Sequence, residues 1–358
     1  MNDTYLKLTA YFGERQRAGS RFLAEAMLDL YAQREVAASV MLRGIASFGP
    51  RNVIRSDQSL TLSEDPPVAV AAVDTAATIG ALVGDVVEMM PRGLITLERA
   101  RLLGADPAGA AMPHGGDAVK LTLYIGRRRR VDGAPAYYAV CDLLHRHGFA
   151  GASVFLGVDG TVHGERRRAR FFSNNVDVPI MLIAVGTAAQ VQQALPELEA
   201  MLHQPLATVE RVQVCKRDGE LLARPPALPA VDGRGRALRQ KLMIYTSEAT
   251  HHDGAPIHRA LIRKLWESHT VSGATVLRGI WGFHGDHKPH GDKLIQYGRQ
   301  VPVTTIVVDR PEVIAACFHI VDEVTGTHGL VTSEMVPALL MLDGGARSGT
   351  TDLADYSF

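Results

Sequence analysis

Cysteine is scarce, and the little present does not pair. Cys141, Cys215 and Cys317 are odd in number and far apart. None forms a C-x-x-C, so no disulfide framework or redox pair is indicated, and the thiols fit a reducing compartment. Neither sign of charge dominates, because 38 Lys and Arg balance 38 Asp and Glu. A dedicated nucleic-acid binder normally carries a basic excess. The runs 127–130 and 166–168, all arginine, are therefore read as solvated loops. Long apolar runs are missing too. The most apolar window, 68–90, is broken by Asp74, Asp85 and Glu88 and is too interrupted to span a bilayer. The first twelve residues lack a charged segment followed by an apolar core, so no signal peptide is read there and a cytoplasmic location is expected. Also absent are a nucleophile elbow, a Walker loop, H-E-x-x-H and a Rossmann fingerprint, so no catalytic residue is assigned.

What the chain does have is repetition. One stretch reads Gly273-Ala274-Thr275-Val276-Leu277-Arg278-Gly279-Ile280-Trp281-Gly282-Phe283-His284-Gly285. It recurs without a gap from Ala38 to Gly49 and from Gly151 to Val162. Its first half has the Thr, Val, Leu and Ile of a strand, and its glycines indicate a loop that lets another group approach the backbone. Internal repetition at this scale sets the whole fold.

Around each copy the same elements recur. Tyr5-Leu6-Lys7-Leu8-Thr9-Ala10-Tyr11 alternates polar and apolar like a half-buried strand. Residues 20–34 carry apolar side chains at helical spacing, with Ser20 as the candidate N-cap. Residues 68–73 make a strand after Pro66 and Pro67, residues 76–89 a second helix, and Arg92-Gly93-Leu94-Ile95-Thr96 a turn into a last strand. The order β-α-β-β-α-β is the split βαβ, or ferredoxin-like, unit. The expected fold is α+β, with three such repeats at residues 5–103, 119–216 and 240–342. Residues 104–118 and 217–239 read as linkers, and 343–358 as a disordered tail.

The blocks Tyr-Ile-Gly, Gly-x-Pro, Ala-Thr-Val-Leu-Arg-Gly-Ile-x-Gly-Phe and Gly-Leu-Val-Thr resemble the P-II-like proteins grouped as domain-of-unknown-function family 190. Repeat three carries most of them, repeat one many, and repeat two matches weakly. The resemblance implies ferredoxin-like units assembled as a trimer, here as an intramolecular pseudo-trimer. It also implies clefts between neighbours that take a small effector such as an adenine nucleotide. Mobile loops at 48–55, 162–170 and 284–292 would then dock on a transporter or an enzyme.

The expected effector-binding residues are Arg43, Gly44, Gly49, Gly93 and Thr96 in repeat one, with Arg278, Gly279, Gly282, Gly329 and Thr332 in repeat three. Guanidinium groups and bare backbone N–H groups suit an anion. Alternatively, the two arginines pair with carboxylates across a repeat interface. Repeat two has Leu156 in place of the arginine and Pro205 in place of the glycine, so it is expected to act as scaffold. An enzyme acting on a nucleotide or phosphorylated metabolite in the same clefts is the second reading. The third is a divalent-metal module at His284, His287 and His290, spaced three apart. Glu98, Glu210 and Glu334 recur at one aligned position and are read as solvent-facing or salt-bridged.

Overall fold

A computed structural model describes residues 5–49, 53–56, 65–103, 115–162, 165–168, 178–203, 205–285, 289–291 and 301–356. Repeat one contains β1 (Tyr5–Gly13), α1 (Leu23–Gln33), β2 (Ala38–Phe48), β3 (Pro67–Thr75), α2 (Ala76–Met89) and β4 (Arg92–Leu102). Repeat two contains β5 (Ala118–Gly126), α3 (Ala136–Arg146), β6 (Gly151–Leu156), β7 (Asp159–Val162), β8 (Pro179–Thr187), α4 (Ala188–Leu202), β9 (Leu206–Arg211) and β10 (Gln213–Arg217). Repeat three contains β11 (Arg239–Ser247), α5 (Ile257–Glu267), β12 (Ala274–Arg278), β13 (Trp281–His284), β14 (Pro302–Asp309), α6 (Pro311–Thr325) and β15 (Leu330–Val336). A final hairpin, β16 (Ala338–Asp343) and β17 (Ala346–Thr350), follows.

In every repeat the first strand lies between the third and the fourth, and the second pairs on the far side of the third, all antiparallel. The two helices cover one face of each sheet and enclose one apolar core per repeat. A fourth core, built from the opposite faces, is shared by all three repeats; Leu42, Phe155 and Leu277 meet in it. Strands such as Val68-Ala69-Val70-Ala71-Ala72-Val73 are therefore apolar throughout, because both faces are covered. The same fact corrects the half-buried reading of β1. Lys7 and Thr9 are buried as well as Leu8 and Ala10, so its polar face also points inward.

The glycine-rich stretches are where the repeats interlock. Beyond Gly44, β2 leaves β3 and pairs with β12 of repeat three. Past Gly279, β13 pairs with β6 of repeat two. Past Gly157, β7 returns to pair with β2 of repeat one. A Cβ on Gly279 would lie 2.7 Å from Pro302 Cγ and 2.9 Å from Val154 O of the neighbour. Gly44 meets Pro67 and Val276 O in the same way, and Gly157 meets Pro179 O and Val40. Each repeat thus lends a strand to the next, which covers sheet edges that would otherwise be exposed.

A second exchange runs through the fourth strands. The end of β4 pairs with β9, β10 pairs with β15, and β16 returns to β4. The strand that closes the circle of repeats is thus β16, which falls at the end of the expected repeat three. β17 pairs with β16, Ala354 is fully buried, and Ala354 N donates to Pro337 O. The stretch expected as a disordered tail is instead held in place by β16 and by Pro337. Residues 217–239 are likewise ordered: Asp232 accepts N–H bonds from Arg234, Arg236 and Asp355. Helix α1 begins later than expected. Ser20 lies in a hairpin turn between Arg17–Ala18 and Arg21–Phe22, and Phe22 is the N-cap residue. Among the described residues, no helix is long and apolar enough to cross a membrane.

Candidate functional site

A recess lies between repeats one and three, with a cavity volume of about 460 Å³. Repeat one supplies the end of β1 at Tyr11–Gly13, Ser47–Gly49 and the turn Pro91–Leu94; repeat three supplies Ser272–Thr275, Ile306 and Val308. The closing hairpin adds Met341–Gly344. This volume and an apolar wall with few polar groups suit a small molecule. Phe48, Leu94 and Met341 give the apolar side, while Arg55, Asp65, Arg92 and Asp343 give the charged one. Arg92 Nε lies 3.3 Å from Asp343 Oδ1, and both side chains are nearly half exposed. The ion pair is therefore weak, and an incoming anion can replace the carboxylate.

Two of the expected effector residues, Gly49 and Gly93, line this recess. Gly93 has φ +133° and packs 2.2 Å, by its would-be Cβ, from Tyr11 O, so the turn needs glycine. Gly329 occupies the matching turn of repeat three, where it accepts a hydrogen bond from Asp218 N. The other expected residues sit elsewhere. Gly44, Gly279 and Gly282 face neighbouring backbone in the strand exchange, with Gly282 over Ala152 O. Thr96 and Thr332 are fully buried within β4 and β15, and Thr96 Oγ1 donates to Glu98. Arg43 pairs with Glu14, and Arg278 lies 2.5 Å from Glu248, in each case a carboxylate of its own repeat. Glu14 and Glu248 follow the first strands at matching positions, where repeat two has Arg127. Repeat two thus lacks both members of the pair, Leu156 standing for the arginine.

His284 and His290 come together with ring centroids 6.2 Å apart. His287 lies outside the described residues, as do large parts of the three expected mobile loops.

A second charged arrangement was not anticipated. Lys7, Lys120 and Lys241 occupy one position of the three first strands, directly opposite Glu98, Glu210 and Glu334 on the fourth strands. Each lysine also reaches the glutamate of another repeat. Lys7 lies 2.9 Å from Glu98 and 2.6 Å from Glu210; Lys120 meets Glu210 and Glu334; Lys241 lies 3.3 Å from Glu334 and 2.5 Å from Glu98. Six alternating charges close a ring, and every member is at least nine-tenths buried. The solvent-facing reading of the glutamates is thereby excluded, and their salt-bridged reading holds. Burial raises the Glu98 carboxyl, but Lys241, Lys7 and Lys120 outweigh it and hold it well below the usual range. Glu210 is likewise lowered, burial being outweighed by Lys120 and Lys7. On Lys7, burial works downward, yet Glu210 and Glu98 hold the ammonium well above its ordinary value. The three carboxylates approach closely enough to suggest a metal cage. Three ammonium groups already balance their charge, so the donor set does not fit a cation.

Fold and ring define an α+β protein of three tandem repeats joined in a circle. The chain belongs to the DUF190 family, described as uncharacterized ACR, COG1993, which it matches three times over residues 5–102, 118–214 and 239–338. Among its relatives is a UPF0166 protein of Aquifex aeolicus (strain VF5), 32% identical over 108 residues that make up 99% of that protein and 30% of this chain. Similarity to solved structures is slight. An aspartate kinase from Synechocystis gives a TM-score of 0.29 at 11% identity, and this chain, 94% covered, spans 45% of it. A protein of unknown function from Galdieria sulphuraria gives 0.19 at 12% identity, covering 59% of this chain and 99% of that one.

Proposed function

We propose that the chain is a P-II-like regulatory protein whose ferredoxin-like repeats form an intramolecular pseudo-trimer and reversibly bind a small anionic effector. The observation that carries this reading is the recess between repeats one and three. It joins an apolar wall, able to hold a ring system, to two arginines and a glycine turn, able to hold phosphate oxygens. An adenine nucleotide has that combination of parts. The segment after β2 forms one wall through Gly49, Val53 and Arg55, so an occupied recess favours one arrangement of that loop. A transporter or an enzyme that reads the loop is the partner in this scheme. The relative the size of a single repeat supports descent from a three-chain ring, with fusion freeing the three boundaries to differ.

They do differ. At the boundary of repeats three and two, the Asp218 carboxylate stands where a Cβ on Gly285 would be, 2.6 Å away. The Asp218 side chain there covers the glycine backbone, whereas the closing hairpin turns at Gly344 and Gly345 beside Arg92. The boundary of repeats two and one has Pro205 in place of the turn glycine. One effector per chain is the expected stoichiometry. Isothermal titration with ADP and ATP tests this reading. Saturable binding near one per chain is expected, weakened about tenfold to a hundredfold by Arg92→Ala through loss of a charge-assisted bond. Three equal sites, or binding indifferent to both Arg55→Ala and Arg92→Ala, would overturn it.

A further inference from the structure

The ring of charges closes over a second, internal cavity of about 50 Å³. Lys7, Lys120 and Lys241 line it, but none of the three glutamates does. The ring therefore presents its ammonium side to the cavity. An ammonium group has three N–H donors. Each lysine spends contacts on two carboxylates, which leaves one donor per lysine for the cavity side. On that side, among the described residues, Lys120 Nζ has only the Met243 sulfur, 3.9 Å away. Three hydroxyls in the same wall, Thr122 Oγ1, Tyr124 OH and Thr304 Oγ1, are buried with no hydrogen-bond partner among the described residues. Buried polar groups left unpaired are costly, and several around one small space indicate something that accepts from them. The lining comes from matching positions of all three repeats, so the space lies on their common axis.

We infer that this cavity is a binding site for a small monovalent anion of the halide class. Its size admits one such ion with a few waters, since a single water needs roughly 10–15 Å³ of the same measure. Every unpaired polar group facing it is a donor or can turn to donate, which suits a spherical acceptor. A cation would meet three ammonium groups. The further oxygens of a phosphate or carboxylate would face the apolar Leu42, Phe155 and Leu277. The site adjoins the recess between repeats one and three, with Tyr11 and Ile306 lining both, but its lysines and unpaired hydroxyls lie outside that recess.

The experiment uses the full chain with bromide as the probe. Crystals grown with sodium bromide as the sole halide are expected to show an anomalous peak on the axis, within contact of the lysines, Thr122 and Tyr124. In solution, thermal unfolding of the wild type and of Thr122→Val/Tyr124→Phe is followed across a bromide series at constant ionic strength. Comparing the two proteins cancels the general salt effect. The gap between their midpoints is expected to widen with bromide, because the variant binds at least about tenfold more weakly. A constant gap, or a cavity holding only water in the bromide crystals, would overturn the inference. The crystallographic arm needs no variant and stands if the double substitution does not fold.

Discussion

Removing one lysine from the ring is the most informative perturbation. Lys120 is 1% exposed and meets two carboxylates from two repeats. Lys120→Met keeps the length of the side chain and removes its charge. Glu210 is then left to Lys7, Glu334 to Lys241, and the buried ring carries a net negative charge. Breaking a buried pair by deleting one partner costs about 3–5 kcal/mol, against about 0–1 kcal/mol for an exposed one. The expected loss is therefore about 3–5 kcal/mol, or a hundredfold to a few thousandfold in the unfolding equilibrium. Urea unfolding followed by circular dichroism reads it. Glu210→Gln in the same background restores neutrality while keeping an acceptor for Lys7. The double variant should cost less than the sum of the singles by about 1–3 kcal/mol, as expected for groups in one network. A cost of Lys120→Met near that of a surface pair, or strict additivity of the two changes, would refute the ring as a buried and coupled unit.

Further outcomes follow from the same geometry. Gly279→Ala should destabilise by about 1–3 kcal/mol, because its Cβ must displace Pro302 or the neighbouring β6. Gly80→Ala and Gly84→Ala, in α2 with open space around them, should each stabilise by about 0.5–1 kcal/mol by thermal unfolding. Arg278→Leu alone strands the half-buried Glu248, whereas Arg278→Leu with Glu248→Arg copies repeat two and should recover most of the loss. The stability–pH profile should fall on acidification. The Glu98 and Glu210 carboxyls are lowered in the folded chain, so the unfolded chain takes up protons first. Their contribution is complete above the ordinary glutamate range and is lost as pH falls through the depressed values. At the alkaline end, Lys7 contributes fully below its ordinary value and fails as pH rises through the raised one.

The repeats, the order of their elements and the absence of long apolar helices could be read from the residues because they are local properties. The glycine-rich stretch was legible as a place of close approach, but not what approaches. Gly44 and Gly279 make room for a neighbouring strand, a contact 125 or more residues distant in the chain for Gly279 and Val154. The ring left a signal that could have been used. Lys7, Lys120 and Lys241 recur at one aligned position as surely as the three glutamates do, and opposite charges on adjacent strands of a repeated unit point to pairing. Reading β1 as half-exposed hid it, since alternation shows which faces differ and not whether both are covered. The closing hairpin was hidden for a different reason. Ala346 to Thr350 is small and polar, with no apolar pattern of its own, and pairs with β16, whose other edge is taken by β4 of repeat one. Arg55 and Arg92 fall in the expected loop and turn but are not among the expected effector residues, because their shared recess exists only once repeats one and three are packed together.

Disulfide trapping tests the closed circle most directly. Ser47 of β2 and Thr275 of β12 are register partners across repeats one and three. Opposed residues of antiparallel strands lie roughly 4.5–5.5 Å apart at Cα, within disulfide reach. The native Cys141, Cys215 and Cys317 are buried and do not compete. Oxidised Ser47→Cys/Thr275→Cys protein should run on a non-reducing gel as a single cross-linked chain, and light scattering should give one chain of 38.7 kDa or a pair of them. A ladder of chains joined through these two cysteines, or an obligate three-chain assembly, would contradict a ring built within one polypeptide.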